Sequence, residues 1–318
     1  MELWFAFLKS RSKSRVAIPP GRHGVVMKSR DFAKAFRVTN GSHFRLKHFQ
    51  PRETLGLKSK EHASEILERG IARLSELQEK LYAQDRWAVL MNLQAMDAAG
   101  KDSTIKHVMS GVNPQGCQVH SFKSPSAEEL QHDFLWRTSH SIPERGQIGI
   151  FNRSYYEEVL VARVHPELLS NEKVPAELIS KNIWKMRFED INSFEQYLSR
   201  NGILVLKCFL HLSKHEQKKR FLDRLDQPDK NWKFSMSDVL ERKHWDKYMD
   251  AYEDMIRNTS TEHAPWYVVP ADHKWFSRLV VAEVIVDALQ KLDLSFPKLD
   301  ADKRKELKDA RAELKRTP

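Results

Sequence analysis

The chain has 318 residues, 41% of them hydrophobic and 30% charged, so it is long enough to bury one sizeable core. Lys and Arg outnumber Asp and Glu by 53 to 43, and the net charge of +10 indicates either a polyanionic partner or a merely basic surface. No stretch approaches the roughly 20 apolar residues of a membrane-spanning helix, and the apolar start lacks the basic segment that opens a secretory signal.

The cysteines Cys117 and Cys208 lie in separate apolar runs. This pattern indicates packed thiols in a reducing compartment, so we expect a cytoplasmic protein. Residues 1–57 are rich in Arg, Lys and His and show no sustained period, which predicts a basic, partly irregular N-terminal arm. Such an arm serves either as a solubilising tail or to capture a polyanion.

The region after the arm alternates between helical and strand-like patterns. Apolar residues recur at helical spacing over 59–84. The predicted strands are 87–93, 118–122, 148–151, 203–209 and 266–269, and further helices lie near 101–110, 126–140, 155–164, 184–199, 213–226, 236–257 and 273–292. Ser126 and Glu129 have capping-box spacing. Together these elements predict an α/β domain over 58–295 with a buried parallel sheet covered on both faces, followed by a charged tail over 296–318.

The run 94–104, Gln-Ala-Met-Asp-Ala-Ala-Gly-Lys-Asp-Ser-Thr, joins the first predicted strand to a helix. A tight turn with Gly-Lys at a helix N-terminus binds phosphate, because backbone N–H groups point at the anion and the lysine adds charge. Ala95 stands where the standard pattern has glycine, and Asp102 stands where it has Ser or Thr. The hydroxyls are delayed to Ser103 and Thr104, and Asp97 adds a carboxylate.

Basic residues recur just after the other predicted strands: Lys123, Arg153, Lys214 and Lys274. Ligands of an open parallel sheet bind beyond the carboxyl ends of its strands, so we expect these cations to converge on one cleft. The densely charged segment at about 213–240 is either a solvated helix or a mobile lid whose arginines close on phosphates.

The sequence shows no zinc-binding pattern and no convincing Ser/His/Asp or Cys/His set. Phosphoryl transfer fits this, because a phosphate acceptor is already an anion at neutral pH and needs no general base. The aromatic residues lack the arrangement of a base-stacking platform. We therefore expect neither nucleic acid nor a membrane as a partner.

Three longer runs carry a family resemblance: Met-Asp-Ala-Ala-Gly-Lys-Asp at 96–102, Val-Met-Ser-Gly-Val-Asn-Pro-Gln-Gly-Cys at 108–117 and Ile-Phe-Asn-Arg-Ser-Tyr-Tyr-Glu-Glu-Val-Leu at 150–160. They resemble the type-2 polyphosphate kinases, in particular the class III-like phosphotransferases that phosphorylate AMP and ADP. Shorter matches at 209–214, 232–235, 259–261 and 264–267 extend the resemblance over about 44–292.

The resemblance implies a thymidylate-kinase-like P-loop kinase fold, with three layers around a five-stranded parallel sheet and a helical lid. It implies reversible transfer of the terminal phosphoryl group of inorganic polyphosphate to AMP or ADP, with guanine nucleotides as alternative acceptors. Mg²⁺ is the expected cofactor, with Mn²⁺ as an alternative, and a homodimer or homotetramer is the expected assembly.

Site residues are carried over by motif. The expected catalytic residues are Asp97, Lys101, Asn152 and Arg153, with Asn152 standing where many members have Asp. The expected metal ligands are Asp97 and Glu157. The expected phosphate and polyphosphate ligands are Ala98, Ala99, Gly100, Asp102, Ser103, Thr104, Lys106, Lys123 and Arg137. The expected nucleotide and lid residues are Arg163, Arg220, Arg224, Lys230 and Lys233.

The predicted path of polyphosphate follows four cations, Lys101, Lys106, Lys123 and Arg137, with the nucleotide opposite and under the lid. Two alternatives stay open. One is a nucleoside monophosphate kinase that takes its phosphoryl group from ATP, and the other is a non-enzymatic P-loop protein that binds nucleic acid.

Overall fold

The computed structural model describes residues 29–316, so residues 1–28 of the predicted arm and residues 317–318 lie outside the described part of the chain, as do the side chains of residues 29–31 and of Lys233. The strands within it are β1 (Arg37–Val38), β2 (Ala88–Ala95), β3 (Cys117–Ser121), β4 (Ile148–Asn152), β5 (Ile203–His211) and β6 (Trp266–Pro270). They form one sheet in the order β1-β6-β5-β2-β4-β3. Strands β2 to β6 are parallel as predicted, and the short β1 pairs antiparallel with β6. The prediction of five strands therefore missed one edge strand.

The α-helices of the described residues are α1 (Ser29–Ala35), α2 (Lys60–Gln84), α3 (Lys101–Val108), α4 (Trp136–Ser139), α5 (Glu157–Val164), α6 (Ile183–Arg200), α7 (Lys214–Asp226), α8 (Met236–Glu241), α9 (Trp245–Thr259), α10 (Lys274–Gln290) and α11 (Ala301–Arg316). The sheet separates two cores, because successive strand residues point to opposite faces. Met91 packs in the core with α2, α3 and α10, whereas its neighbour Leu90 packs with α5, α6 and α9. The predicted three-layer α/β architecture is confirmed.

Two predicted helices are broken in the structure. In the segment 126–140 the capping box forms, since Ser126 and Glu129 bond to each other's backbone N–H groups. The Asp133 carboxylate then accepts from the N–H of Leu135 at 2.9 Å, a local bond that competes with helix formation. In the segment 236–257, a 3₁₀ turn at Arg242–His244 separates α8 from α9.

Part of the predicted arm packs onto the domain. The Phe32 and Phe36 rings meet the Phe276 ring edge-on, with centroids 6.2 and 5.9 Å away. Phe44 and Leu46 are buried in the second core. Phe32 of α1 and Phe36, which directly follows this helix, share one face, but the helix has only seven residues, too few to show a sustained period in the sequence. Among the described helices, none has both the length and the apolar character to cross a membrane.

Candidate active site

The phosphate loop, which we define as residues 95–100, leaves the buried end of β2 and leads into α3. Gly100 has a φ of +103°, a conformation that only glycine adopts without strain. Ala98 has a φ of +63°, which costs a non-glycine residue about 1–3 kcal/mol. The surrounding contacts must therefore hold the loop in this shape.

Lys101 begins α3 directly after the phosphate loop. Its ammonium donates a hydrogen bond of 2.8 Å to the carbonyl of Ala95. Burial lowers the pKa of Lys101, while the nearby Asp97 carboxylate opposes that shift. A lysine bonded to a neutral carbonyl can exchange that partner for a phosphate oxygen.

Asp97 of the loop and Arg153 after β4 form an ion pair, with Nη2 of the arginine 3.2 Å from Oδ1 of the carboxylate. Arg153 has a φ of +65°, and its N–H donates to the carbonyl of Leu93 on β2 at 3.2 Å. The side chain of Arg153 is 41% exposed and that of Asp97 is 33% exposed. The two residues predicted as catalytic from separate motifs are therefore in contact.

Asn152 lies at the end of β4, and its amide nitrogen donates to Oδ1 of Asp102 at 2.8 Å. Its oxygen atom Oδ1 is buried and has no hydrogen-bond partner among the described residues. An unpaired buried oxygen is costly. This atom is therefore available to a ligand that donates a hydrogen bond or to a metal ion that binds oxygen.

One cavity of about 580 Å³ collects most of the predicted site. The predicted residues that line it are Asp97, Ala98, Ala99, Gly100, Lys101, Asp102, Ser103, Lys123, Asn152, Arg153, Arg220, Arg224 and Lys230. Other lining residues are Ser121, Phe122, Asp223, Gln227, Asp238 and Lys274. The expected convergence of strand-end cations is seen for Lys101, Lys123, Arg153 and Lys274, whereas Lys214 lies in a separate pocket.

Arg220 of α7 binds the protein itself in this structure. Nη1 donates to the carbonyls of Ala98 and Ala99 at 3.0 and 2.8 Å, and Nη2 donates to those of Ala271 and Asp272 at 2.6 and 3.0 Å. Nε bonds to Glu216 at 2.9 Å. We call this set of bonds the Arg220 clamp. It ties the phosphate loop to the loop after β6. The prediction of Arg220 as a lid residue did not include this contact.

Arg224 lies one turn further along α7, with Nη1 3.5 Å from the Asp238 carboxylate of α8. Burial raises the pKa of Asp238, and the Asp97 carboxylate raises it further. Asp238 is therefore electrostatically coupled to Asp97 of the phosphate loop. Sequence reasoning missed it, because its segment showed no strand end or phosphate motif.

Two predicted polyphosphate ligands lie outside the cavity. Lys106 is exposed on α3. Arg137 is buried behind the cavity wall, where it donates to the carbonyl of Lys123 at 2.8 Å and lies 3.2 Å from Glu158. Burial raises the pKa of Glu158 to about 7, and Glu172 adds to the shift. Arg137 therefore supports the segment that carries Lys123.

Three further predicted residues are also outside the cavity. Thr104 is buried within α3. The side-chain amide nitrogen of Gln94 donates a hydrogen bond of 2.7 Å to Oε1 of Glu157. Burial raises the pKa of Glu157. Arg163 pairs with Asp254 of α9 at 2.7 Å.

Two cations of α10, Lys274 and Arg278, lie near the phosphate loop and the start of α3. Lys274 lines the cavity, and its pKa is lowered by burial and by the neighbouring Arg220, Arg278 and Lys230. Arg278 donates to Oγ of Ser103 at 3.3 Å. The position of Lys274 after a strand signalled it in the sequence, but Arg278, one turn later, had no such signal.

The sequence model of the polyphosphate kinase 2 family matches residues 57–297. The chain belongs to the polyphosphate kinase 2 family. This confirms the resemblance of the three motifs, and the matched range contains the phosphate loop, the turn after β4 and α7.

Two relatives and one solved structure of the polyphosphate kinase 2 family align with this chain over nearly their whole length. The ADP-polyphosphate phosphotransferase of Rhodopseudomonas palustris is 54% identical over 88% of this chain and 98% of its own. The AMP/ADP-polyphosphate phosphotransferase of Meiothermus ruber is 44% identical over 83% and 95%. A crystal structure of polyphosphate kinase 2 from Arthrobacter aurescens matches with a TM-score of 0.79 at 42% identity, covering 87% of this chain and 95% of that one.

Proposed function

We propose that the chain transfers the terminal phosphoryl group of inorganic polyphosphate to a nucleoside mono- or diphosphate. The observation that carries the proposal is the meeting of a Gly-Lys phosphate loop and the Asp97–Arg153 pair in one cavity. Among residues 29–316, seven Lys or Arg and four Asp line that cavity, an excess that suits a polyanionic donor. The names of the two aligned phosphotransferases support the same donor and the acceptors AMP and ADP.

The donor and the acceptor bind on opposite sides of the phosphate loop in this proposal. Polyphosphate lies along Lys101 and Lys123, and the acceptor's phosphate lies on Arg153. Lys106 and Arg137 drop out of the originally predicted path because they lie outside the cavity. Catalysis then consists of in-line positioning and charge neutralisation, since the acceptor oxygen is already anionic.

Mg²⁺ is the proposed cofactor, and Mn²⁺ accepts the same oxygen ligands. Mg²⁺ needs only one or two carboxylates when substrate phosphates complete its shell. Asp97 and Asp238 offer carboxylates at the cavity, and the unpaired Oδ1 of Asn152 offers a neutral oxygen. When bound, the ion would neutralise charge on the phosphates. Glu157 is a poorer candidate, because the Gln94 amide already occupies one of its oxygens.

The decisive assay incubates the protein with Mg²⁺ and long-chain polyphosphate, offers AMP, ADP or GDP, and separates the product nucleotides. We expect ADP from AMP and ATP from ADP. Transfer from ATP to AMP without any transfer from polyphosphate would instead support the monophosphate kinase. Salt-sensitive binding of DNA or RNA without transferase activity would support the nucleic-acid-binding alternative.

Two substitutions test the site. Lys101→Ala and Asp97→Asn should each lower kcat/KM by about 100-fold or more. The first removes a positive charge that stabilises the transferring phosphoryl group, and the second removes a proposed carboxylate ligand of Mg²⁺. Lys106→Ala removes an exposed lysine from the same helix and serves as the matched control. Near-wild-type turnover in both test variants would show that the site is assigned wrongly.

A further inference from the structure

A fully buried cluster of polar side chains lies in the core on which the turn after β4 packs. Lys207 of β5 has no exposed side-chain surface. Its ammonium lies 2.6 Å from Oε2 of Glu195 on α6 and donates to the carbonyl of Thr259 at 2.6 Å and to the hydroxyl of Tyr156 at 3.1 Å. We call these residues, together with Tyr155, the Lys207 cluster.

The second carboxylate oxygen of Glu195 joins the cluster to the turn after β4. Oε1 accepts hydrogen bonds from the hydroxyls of Tyr155 at 2.9 Å and Tyr156 at 2.7 Å. The side-chain amide of Asn92 on β2 donates to the Tyr155 hydroxyl at 2.7 Å. Both tyrosines are therefore fixed by their rings in the core and by their hydroxyls at one carboxylate.

Stability alone is a weak explanation for such a cluster. Removing two charges from water is costly, and well-packed apolar residues of similar volume often stabilise a core equally well or better. A buried carboxylate with two fixed acceptor oxygens can instead hold specific donors in specific places. The donors that Glu195 holds are the two tyrosines.

The two tyrosines lie close in sequence to a proposed catalytic residue. Tyr155 and Tyr156 follow Arg153 by two and three residues. Arg153 adopts a left-handed φ of +65°, a conformation that persists only where its surroundings enforce it. On one side its N–H is bonded to Leu93 on β2, and on the other the tyrosine pair anchors the chain.

We propose that the Lys207 cluster positions Arg153 for the phosphate of the acceptor nucleotide, with Lys207 and Glu195 as positioning residues. This inference rests on the proposed function. The residues of the cluster do not line the cavity of the site, so they act through the tyrosine hydroxyls. Its loss should therefore weaken the acceptor side of the reaction more than the donor side.

Tyr156→Phe tests the inference, because it removes one hydroxyl and keeps the ring. Tyr267→Phe is the matched control: Tyr267 is also a buried tyrosine, but it lies on β6 in the opposite core. We expect Tyr156→Phe to raise two quantities by about tenfold: KM for the nucleotide and the Kd for ADP measured by calorimetry. A tenfold change corresponds to the loss of one well-placed polar contact. KM for polyphosphate should stay within about twofold.

A double variant, Lys207→Met with Glu195→Leu, removes both charges together with the acceptor of the two tyrosine hydroxyls, and so leaves no unpaired ion in the core. We expect its melting temperature to stay near that of the wild type while its Kd for ADP rises. An unchanged Kd in both variants, or a change equal to that of Tyr267→Phe, would overturn the inference. If the wild-type protein transferred no phosphoryl group from polyphosphate, the proposed function would be refuted instead. The calorimetric Kd for ADP would still test the inference, because that measurement needs no polyphosphate.

Discussion

His211, the last residue of β5, is a buried histidine that the proposed chemistry does not use. Its Nδ1 finds no hydrogen-bond partner within the described chain. Burial lowers its pKa to about 4, against the opposing effect of the Asp272 carboxylate. The folded protein therefore keeps this side chain neutral at a pH where an unfolded chain would protonate it.

His211 should make the folded state acid-sensitive. Between pH 6.5 and pH 4 the unfolded chain binds a proton that the folded chain does not, so the free energy of unfolding falls as pH falls through this window. The loss should approach about 3 kcal/mol by pH 4, and none of it should be present above pH 7. Urea unfolding at several pH values measures it, and His211→Gln should show a flatter dependence. Equal slopes for the two proteins would contradict this account.

The residues of the site differ in how far the sequence could reveal them. Lys101 and Asp97 lie in one continuous loop, and Arg153 lies directly after a strand, so local patterns were enough. Asp238 joins the site only because α8 folds over the loop, and a single sequence carries no signal of that contact. Arg220 was predicted as a lid arginine, and the four carbonyls to which it donates lie more than 50 residues away in the sequence.

At the scale of elements, α7 is fixed to two loops of the sheet edge. The Arg220 clamp joins it to the phosphate loop and to residues 271–272. Gln217 donates to the carbonyl of Asp97 at 2.9 Å. The N-cap Ser213 bonds Asp272 through its N–H and its hydroxyl, each at 2.8 Å. The position of the loop thus depends on the helix.

Arg220→Lys should damage both the fold and the activity. Lysine lacks the planar fork that reaches four carbonyls, so several of them would lose their partner. We expect the free energy of unfolding to fall by about 2–4 kcal/mol and kcat/KM to fall with it. Urea unfolding and steady-state kinetics measure the two effects. Lys219→Ala, at the exposed neighbouring position, should change neither, and equal behaviour of the two variants would rule the clamp out.

The five parallel strands were predicted to within about two residues of their ends, because continuous apolar runs between helices have few other interpretations. The two-residue strand β1 was missed, since it has no apolar run. The helices near 126–140 and 236–257 were predicted as continuous. Their breaks depend on Asp133, which bonds its own backbone, and on Arg242, which reaches Gln217 at 2.6 Å. Apolar periodicity does not report such polar contacts.

At the scale of the whole molecule, charge is the dominant property. The net charge is +10, and cations exceed carboxylates around the cavity that the described residues enclose. A chain of phosphates meets this field over many repeating units, whereas a nucleotide carries only a few charges. Electrostatic capture should therefore matter more for the donor.

Salt should weaken polyphosphate binding selectively. Raising KCl from about 0.1 M to about 1 M shortens the Debye length from about 10 Å to about 3 Å. KM for long-chain polyphosphate should rise more steeply over this range than KM for ADP. Lys274→Gln, inside the cavity, should flatten the rise, and Lys298→Gln, in the exposed tail, should not. Parallel salt curves for both substrates would argue against this field effect.

The Arg220 clamp also limits which part of the lid can move. Because α7 is bonded to the sheet edge through Ser213, Gln217 and Arg220, it cannot swing as a rigid arm from its base. The pivots available are Gln227, which is extended before Pro228, and Arg242, which is bonded back to α7. We therefore expect the bending part of this segment to be about 227–241, which is attached at both ends. Substrate exchange should then depend on the bending of residues 227–241, while Arg224 on the fixed helix α7 stays at the cavity wall.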